Sequence, residues 1–283
     1  MAEWIMVLTS DSGVSDDMVA SALSGVDSDA PRRLSAKAVD IALRGARPTI
    51  ALANVDVNYV PATNRQKKLL IADMDSTIIP VECIDELADF AGVKTQISAI
   101  TERAMQGEIG FEESLEARVG LLEGLEESAL ERCYRERISL NPGASAMVQA
   151  MNRCGAYTAL VSGGFTYFSN KVAADAGFAH NRANILNMRD GALDGTVVHP
   201  ILGRESKLEA MDEFCAARNI SRADVIAIGD GANDLSMIEA AGIGVAYRAK
   251  QALKDAADVI LDHSDLTALL AIQGIAEIAH SES

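Results

Sequence analysis

The sequence predicts an α/β protein: a parallel sheet flanked by helices, with a helical segment inserted near its start and a small α/β unit ahead of it. From about Arg65 onward, continuous apolar runs alternate with helical patterns; the runs are "KLLIAD", "AYTALVSGG", "DVIAIGDG", "GIGVAY" and "ADVIL". Runs without polar alternation suit strands buried on both faces, as in a parallel sheet. In addition, 88 residues lie between Asp73 and Ser162, far more than the roughly dozen residues plus helix that a crossover connection needs.

Taken in order, "EWIMVLTS" reads as a strand and "DDMVASAL" as a helix, while "TIALANVDVNYV" fits either and can hold a further strand. Residues 1–66 are therefore expected to form a small α/β domain. A catalytic-type core is expected over 67–81 and 139–283. Residues 82–138, rich in helix formers with apolar residues at three- and four-residue spacing, are expected to form a helical cap over the strand ends. Asn141-Pro142-Gly143 reads as a turn into a helix, and the two Asp-Gly steps of "ANILNMRDGALDGTVVHP" read as a hairpin.

The 283 residues carry a formal net charge of -16, which disfavours nucleic acid or an anionic membrane as partner. Cys83, Cys133, Cys154 and Cys215 show no paired metal or redox spacing. Reduced thiols in a cytoplasmic protein are expected. "MAEWIMVLTSDSG" has no basic n-region, and no run approaches the roughly 20 apolar residues of a membrane span, so neither export nor insertion is expected.

In open α/β sheets ligands collect beyond the carboxyl ends of the strands. Three of the apolar runs end there in polar or glycine-rich turns: "DMDST", "SGG" and "GDGAND". Asp73 and Asp75, two residues apart, project to the same side if the extended conformation persists. They then repel unless protons or a hard divalent cation, magnesium above all, offset them. Taken alone, this pair reads more readily as a strand end entering a turn. Asp230 and Asp234 add carboxylates, and Ser162, Gly163 and Gly164 add a hydroxyl and amides suited to an anion. Together these groups describe a magnesium-phosphate site in which a carboxylate can serve as nucleophile. His180, His199, His263 and His280 lie outside these motifs, and Cys83 reads as packing.

"DMDST", "VSGGF", Lys207 in "GRESKLEAM" and "GDGANDLSM" together resemble the four ordered motifs of the haloacid dehalogenase superfamily, most closely its phosphoserine-hydrolysing branch. "ECIDELADFAG", "ITERAMQGEIGFEESLEARVGLL" and "DGALDGTV" extend the likeness from about Lys67 to near the chain end. The first 66 residues resemble, less closely, the ACT-like regulatory domain of longer members.

The resemblance implies a Rossmannoid core and magnesium-dependent hydrolysis of the small molecule O-phospho-L-serine, the last step of serine biosynthesis. Asp73 would attack phosphorus. Asp75 would protonate the leaving oxygen and then activate water. The Asp73 side chain, the Asp75 carbonyl and Asp230 would hold magnesium, with Asp234 in support. Ser162, Gly163 and Lys207 would bind the phosphoryl group, and Asn233 would position substrate. Glu82 would face the ammonium and Arg118 the carboxylate of the amino acid, with Met105 and Phe111 as apolar walls. Outside the family pattern, Arg118 reads as a solvated helix charge, and Met105 and Phe111 as cap packing. Transfer to another alcohol, hydrolysis of a different phosphomonoester and a non-catalytic amino-acid sensor are the competing readings. A homodimer through the first 66 residues is a further expectation.

Overall fold

The computed structural model describes residues 2–106 and 108–276, and the side chain of Met105 and all of His280 lie outside the described set. The chain opens with β1 (Trp4–Thr9), α1 (Asp16–Ala22), β2 (Arg32–Ser35), β3 (Ala38–Leu43) and β4 (Asp56–Pro61). Ser15 starts α1 by accepting a hydrogen bond from the Met18 amide, which satisfies one of the helix's unpaired donors. The four strands form an antiparallel sheet in the order β2-β3-β1-β4. One face, with Met6, Leu8, Val39 and Ile41, packs on Val19 and Ala22 of α1.

This sheet docks on the rest of the chain through polar side chains as well as apolar contact. After β4 come β5 (Leu69–Ala72), α2 (Cys83–Ala91), α3 (Lys94–Met105), α4 (Phe111–Gly120), α5 (Glu127–Arg137), α6 (Ala144–Arg153), β6 (Tyr157–Phe165), α7 (Thr166–Ala176) and β7 (His180–Asn184). They are followed by β8 (Leu186–Arg189), β9 (Ala192–Val197), α8 (Ser206–Arg218), β10 (Val225–Gly229), α9 (Leu235–Ala240), β11 (Ile243–Tyr247), α10 (Gln251–Lys254), β12 (Val259–Leu261) and α11 (Ala268–Ile272). The Asn58 carboxamide of β4 both donates to and accepts from the Ile260 backbone, and Asp56 accepts from the amides of Asp262 and His263. The open edge at β12 is thereby covered, which removes a template for wrong pairing.

The second sheet is parallel throughout, in the order β12-β11-β10-β5-β6-β7. Its inner strands β5, β6, β10 and β11 are apolar on both faces, as their unbroken runs require. Leu70, Ala72, Leu160, Ile226 and Ile228 pack on one side, and Leu69, Ile71, Ala159, Val161 and Ala227 on the other. Because β6 and β10 flank β5 on opposite sides, the three carboxyl ends open next to one another at a switch point.

Helices α2 to α5 fill the long connection between β5 and α6, and Gly92 ends α2 in the left-handed conformation that glycine adopts without steric cost. The hairpin reading of the second excursion is met by β8 and β9, which pair antiparallel, with β9 packed against α4. Three strands go beyond the sequence reading: β2 and β3 in the first sheet, and β7 at the edge of the second.

Candidate active site

The backbone stays extended at Asp73 (φ -69°, ψ 157°) and Asp75 (φ -67°, ψ 139°), and both carboxylates line one cavity at the strand ends. Ser76 then takes a left-handed conformation (φ 56°), a strain of about 1–3 kcal/mol for a non-glycine residue. The reversal lets Ser76 Oγ donate to Glu82 Oε1 at 2.8 Å, and it brings the Cys83 amide to Asp75 Oδ1 at 2.9 Å. Asp75 is held from a second side by Ser162 Oγ, which donates to Oδ2 at 3.3 Å.

Lys207, in the first turn of α8 and only 3% exposed, stands between two carboxylates. Its Nζ is 2.6 Å from Asp73 Oδ1 and 2.5 Å from Asp234 Oδ1. Asp234 Oδ2 accepts from the amides of Asp230 and Gly231. Both oxygens of Asp234 are thus occupied by protein donors. Two glycines make the packing possible: a Cβ on Gly229 would lie 2.3 Å from the Asp234 carboxyl carbon, and one on Gly164 would lie 2.7 Å from Asp75 Oδ2.

The electrostatics show a centre short of positive charge. Burial, then the charge of Asp234, push Asp73 well above the usual carboxylate range, and Lys207 opposes them without prevailing. Burial and Glu82 raise Asp75 to about 7. Burial and Asp234 raise Asp230 to about 6. Lys207 remains charged, because the pull of Asp234 and Asp73 outweighs the cost of burying it. Carboxylate oxygens of Asp73, Asp230 and Asp234 lie within 4.8 Å of one another. An all-oxygen set with unsatisfied negative charge fits a hard divalent cation. Since Asp234 is already committed to Lys207 and to two amides, Asp73 and Asp230 are the carboxylates of this set best placed to bind it.

The cavity, of about 360 Å³, reaches from these carboxylates to the cap helices. Ser162, Gly163, Asp230 and Asn233 line its core end, and Glu82, Phe111 and Arg118 its cap end. Arg118 donates from Nε to the Ser114 carbonyl oxygen at 3.1 Å. The ring of Phe111 covers Gly163, where an added Cβ would meet it at 3.3 Å. The site residues named from sequence therefore gather at one place, apart from Met105, whose side chain is outside the described set, and Lys207 and Asp234, which lie buried just behind the wall. The Gly164 amide differs from expectation: it donates to Ser162 Oγ at 2.8 Å and so orients that hydroxyl. Cys83 is buried, with its thiol pushed well up by burial and by Asp75, in keeping with packing.

The lining also includes Ile84, Asp85, Thr101, Leu115 and Lys250, which the sequence reading did not single out. Asp85 had a signal, for it follows Glu82 by one helical turn and shares its face. Lys250 follows a fourth parallel strand, β11, of the same sheet.

The model of the haloacid dehalogenase-like hydrolases matches residues 70–239. The chain is 44% identical over 208 residues to a phosphoserine phosphatase of Polaromonas sp., covering 72% of this chain and 88% of that protein. It is 44% identical over 209 residues to one of Archaeoglobus fulgidus, covering 74% of this chain but only 60% of that longer protein. A solved phosphoserine phosphatase described as a phospho-aspartyl intermediate analogue superposes with a TM-score of 0.67 at 38% identity, over 72% of this chain and 98% of that one. The chain belongs to the haloacid dehalogenase-like hydrolases. Among its described residues, no helix is long and apolar enough to cross a membrane.

Proposed function

We propose that this hydrolase converts O-phospho-L-serine and water to L-serine and inorganic phosphate, with magnesium as its cation and the cytoplasm as its compartment. The observation that supports the reading is a single cavity lined both by residues at the strand ends and by residues of the inserted helices. Asp73, Ser162, Gly163 and Asn233 stand at one end, and Glu82 and Arg118 at the other. A zwitterion is matched by one anion and one planar, bidentate cation. The names of the similar proteins point to the same substrate.

In this scheme Asp73 attacks phosphorus, forming an acyl phosphate as the ester P–O bond breaks. Asp75 gives its proton to the departing serine oxygen. Water then attacks phosphorus, Asp75 takes a proton from it, and the bond to Asp73 breaks. A carboxyl raised to about 7 suits a group that must give and regain a proton near neutrality. Its two hydrogen bonds, from the Cys83 amide and Ser162 Oγ, fix its direction. Lys207 holds Asp73 in place and balances its charge. Magnesium, held by Asp73, Asp230 and the Asp75 carbonyl, would offset charge on the phosphoryl oxygens. The Phe111 ring over Gly163 shields the reacting end from bulk water.

The test is phosphate release from O-phospho-L-serine, with and without magnesium, beside other phosphomonoesters and with free alcohols as acceptors. Magnesium-dependent release that favours phosphoserine is expected. Release from other esters but not from phosphoserine would overturn the reading of Glu82 and Arg118, and transfer to an added alcohol in place of hydrolysis would overturn the role given to water.

A further inference from the structure

Five carboxylates line the cavity, those of Asp73, Asp75, Glu82, Asp85 and Asp230, against two cations, Arg118 and Lys250. Lys207 is charged but buried between Asp73 and Asp234, and these two carboxylates outweigh its single positive charge. Arg118 stands at the cap end, on α4. A phosphomonoester dianion approaching the core end therefore meets a wall of its own sign, relieved among the described protein groups by Lys250. The position of that lysine is fixed from the backbone. Its amide donates to the Asp230 carbonyl oxygen at 3.0 Å, and its extended conformation (φ -67°, ψ 151°) sits directly before α10. Its side chain is exposed at the cavity rim, and among the described residues its ammonium has no ion-pair partner.

We propose that Lys250 is a substrate-positioning residue that draws the phosphate group of the substrate to the core end of the cavity. The assignment rests on the phosphatase reading above for its substrate class. An exposed ammonium beside the entrance acts on encounter and on ground-state binding, since its field reaches about 10 Å in ordinary salt. It stands at the rim, outside the cluster formed by Asp73, Lys207 and Asp234. It thus governs KM and the rate of capture while leaving the chemical step to the buried groups.

Lys250→Met keeps the length of the stem and removes the charge. It is expected to raise KM for O-phospho-L-serine by about tenfold with kcat within about twofold, and to flatten the fall of kcat/KM with ionic strength. Lys250→Arg should restore most of the loss. A merely structural lysine would lower thermal stability without this split or this salt response. Binding of inorganic phosphate to the whole chain in magnesium chloride, followed by calorimetry, reads the same contact without turnover. Weakened phosphate binding in Lys250→Met, recovered in Lys250→Arg, supports the assignment even if phosphoserine proves not to be the substrate. Unchanged phosphate affinity in Lys250→Met overturns it, whatever the substrate.

Discussion

At the core end of the cavity, Asp73, Lys207 and Asp234 are 4%, 3% and 0% exposed, and each is held by partners at the ends of packed strands or in the first turn of a helix. At the cap end, Arg118 is only partly buried and Phe111 is 39% exposed. In the proposed reaction the groups at this end must be placed to within a fraction of an ångström, which a buried, ion-paired network favours. The selecting groups must admit substrate and release product. They sit on the inserted helices, where Glu82 and Phe111 are exposed and Arg118 is half-buried. Under the proposed function, one cavity thus divides into a buried part that serves the chemistry and a more exposed part that serves substrate choice.

The division breaks most clearly at Asp73. Asp73→Asn should lower turnover by about 10³-fold or more, because the amide cannot carry a nucleophile's charge. The fold should survive, since the change removes one of two buried carboxylates that repel each other. Burst-free phosphate assays and far-UV circular dichroism read the two effects separately; activity retained in Asp73→Asn would move the nucleophile elsewhere.

Gly229→Ala is the next largest. The added methyl would occupy the place of the Asp234 carboxyl, 2.3 Å away, and Asp234 has no room to retreat at 0% exposure. Overpacking costs about 1–3 kcal/mol, and displacement of Asp234 should also release Lys207 and the Asp230 amide. We expect a lower melting temperature together with a loss of kcat, measured by calorimetry and by steady-state kinetics. A normal kcat in a destabilised protein would mean that the carboxylate network is less rigid than its burial implies.

Arg118→Lys sharpens the contrast from the other side. Charge is kept, but the planar fork is lost. A hydrogen bond to a charged group is worth about 1.5–3 kcal/mol, so KM for phosphoserine should rise roughly tenfold to a hundredfold with kcat little changed. A fall in kcat at constant KM would show that the cap takes part in the chemistry.

The core end was the more legible in sequence for the same reason that it is rigid. Asp73, Ser162 and Asp230 stand at the ends of unbroken apolar runs, and a run buried on both faces of a parallel sheet can point its end in only one direction. Lys250 gave no such sign, because it reaches the cavity only through the tertiary placement of β11, and Asp85 had only its helical spacing from Glu82. The use of the Gly164 amide to orient Ser162 also depends on how the end of β6 is held, which local pattern does not reveal. The missed strand β7 has the sequence "HNRAN", with little apolar content, and exists because β6 offers it a pairing edge.

Phe111→Ala tests the cap at its smallest. The ring is 39% exposed and makes its close approach to Gly163 and Gly203 across the cavity, so truncation removes little buried area and should change stability by less than about 0.5 kcal/mol. What it removes is a cover over the phosphate end. If the cap acts as a cover, kcat/KM should fall by about threefold to tenfold, and hydrolysis of smaller phosphomonoesters should gain relative to phosphoserine, since the entrance is wider and one wall of the amino-acid end is gone. If instead the ring only packs the cap, substrates should keep their order and the melting temperature should fall. Measuring both on one variant separates selection from stability at the position where the two halves of the site touch.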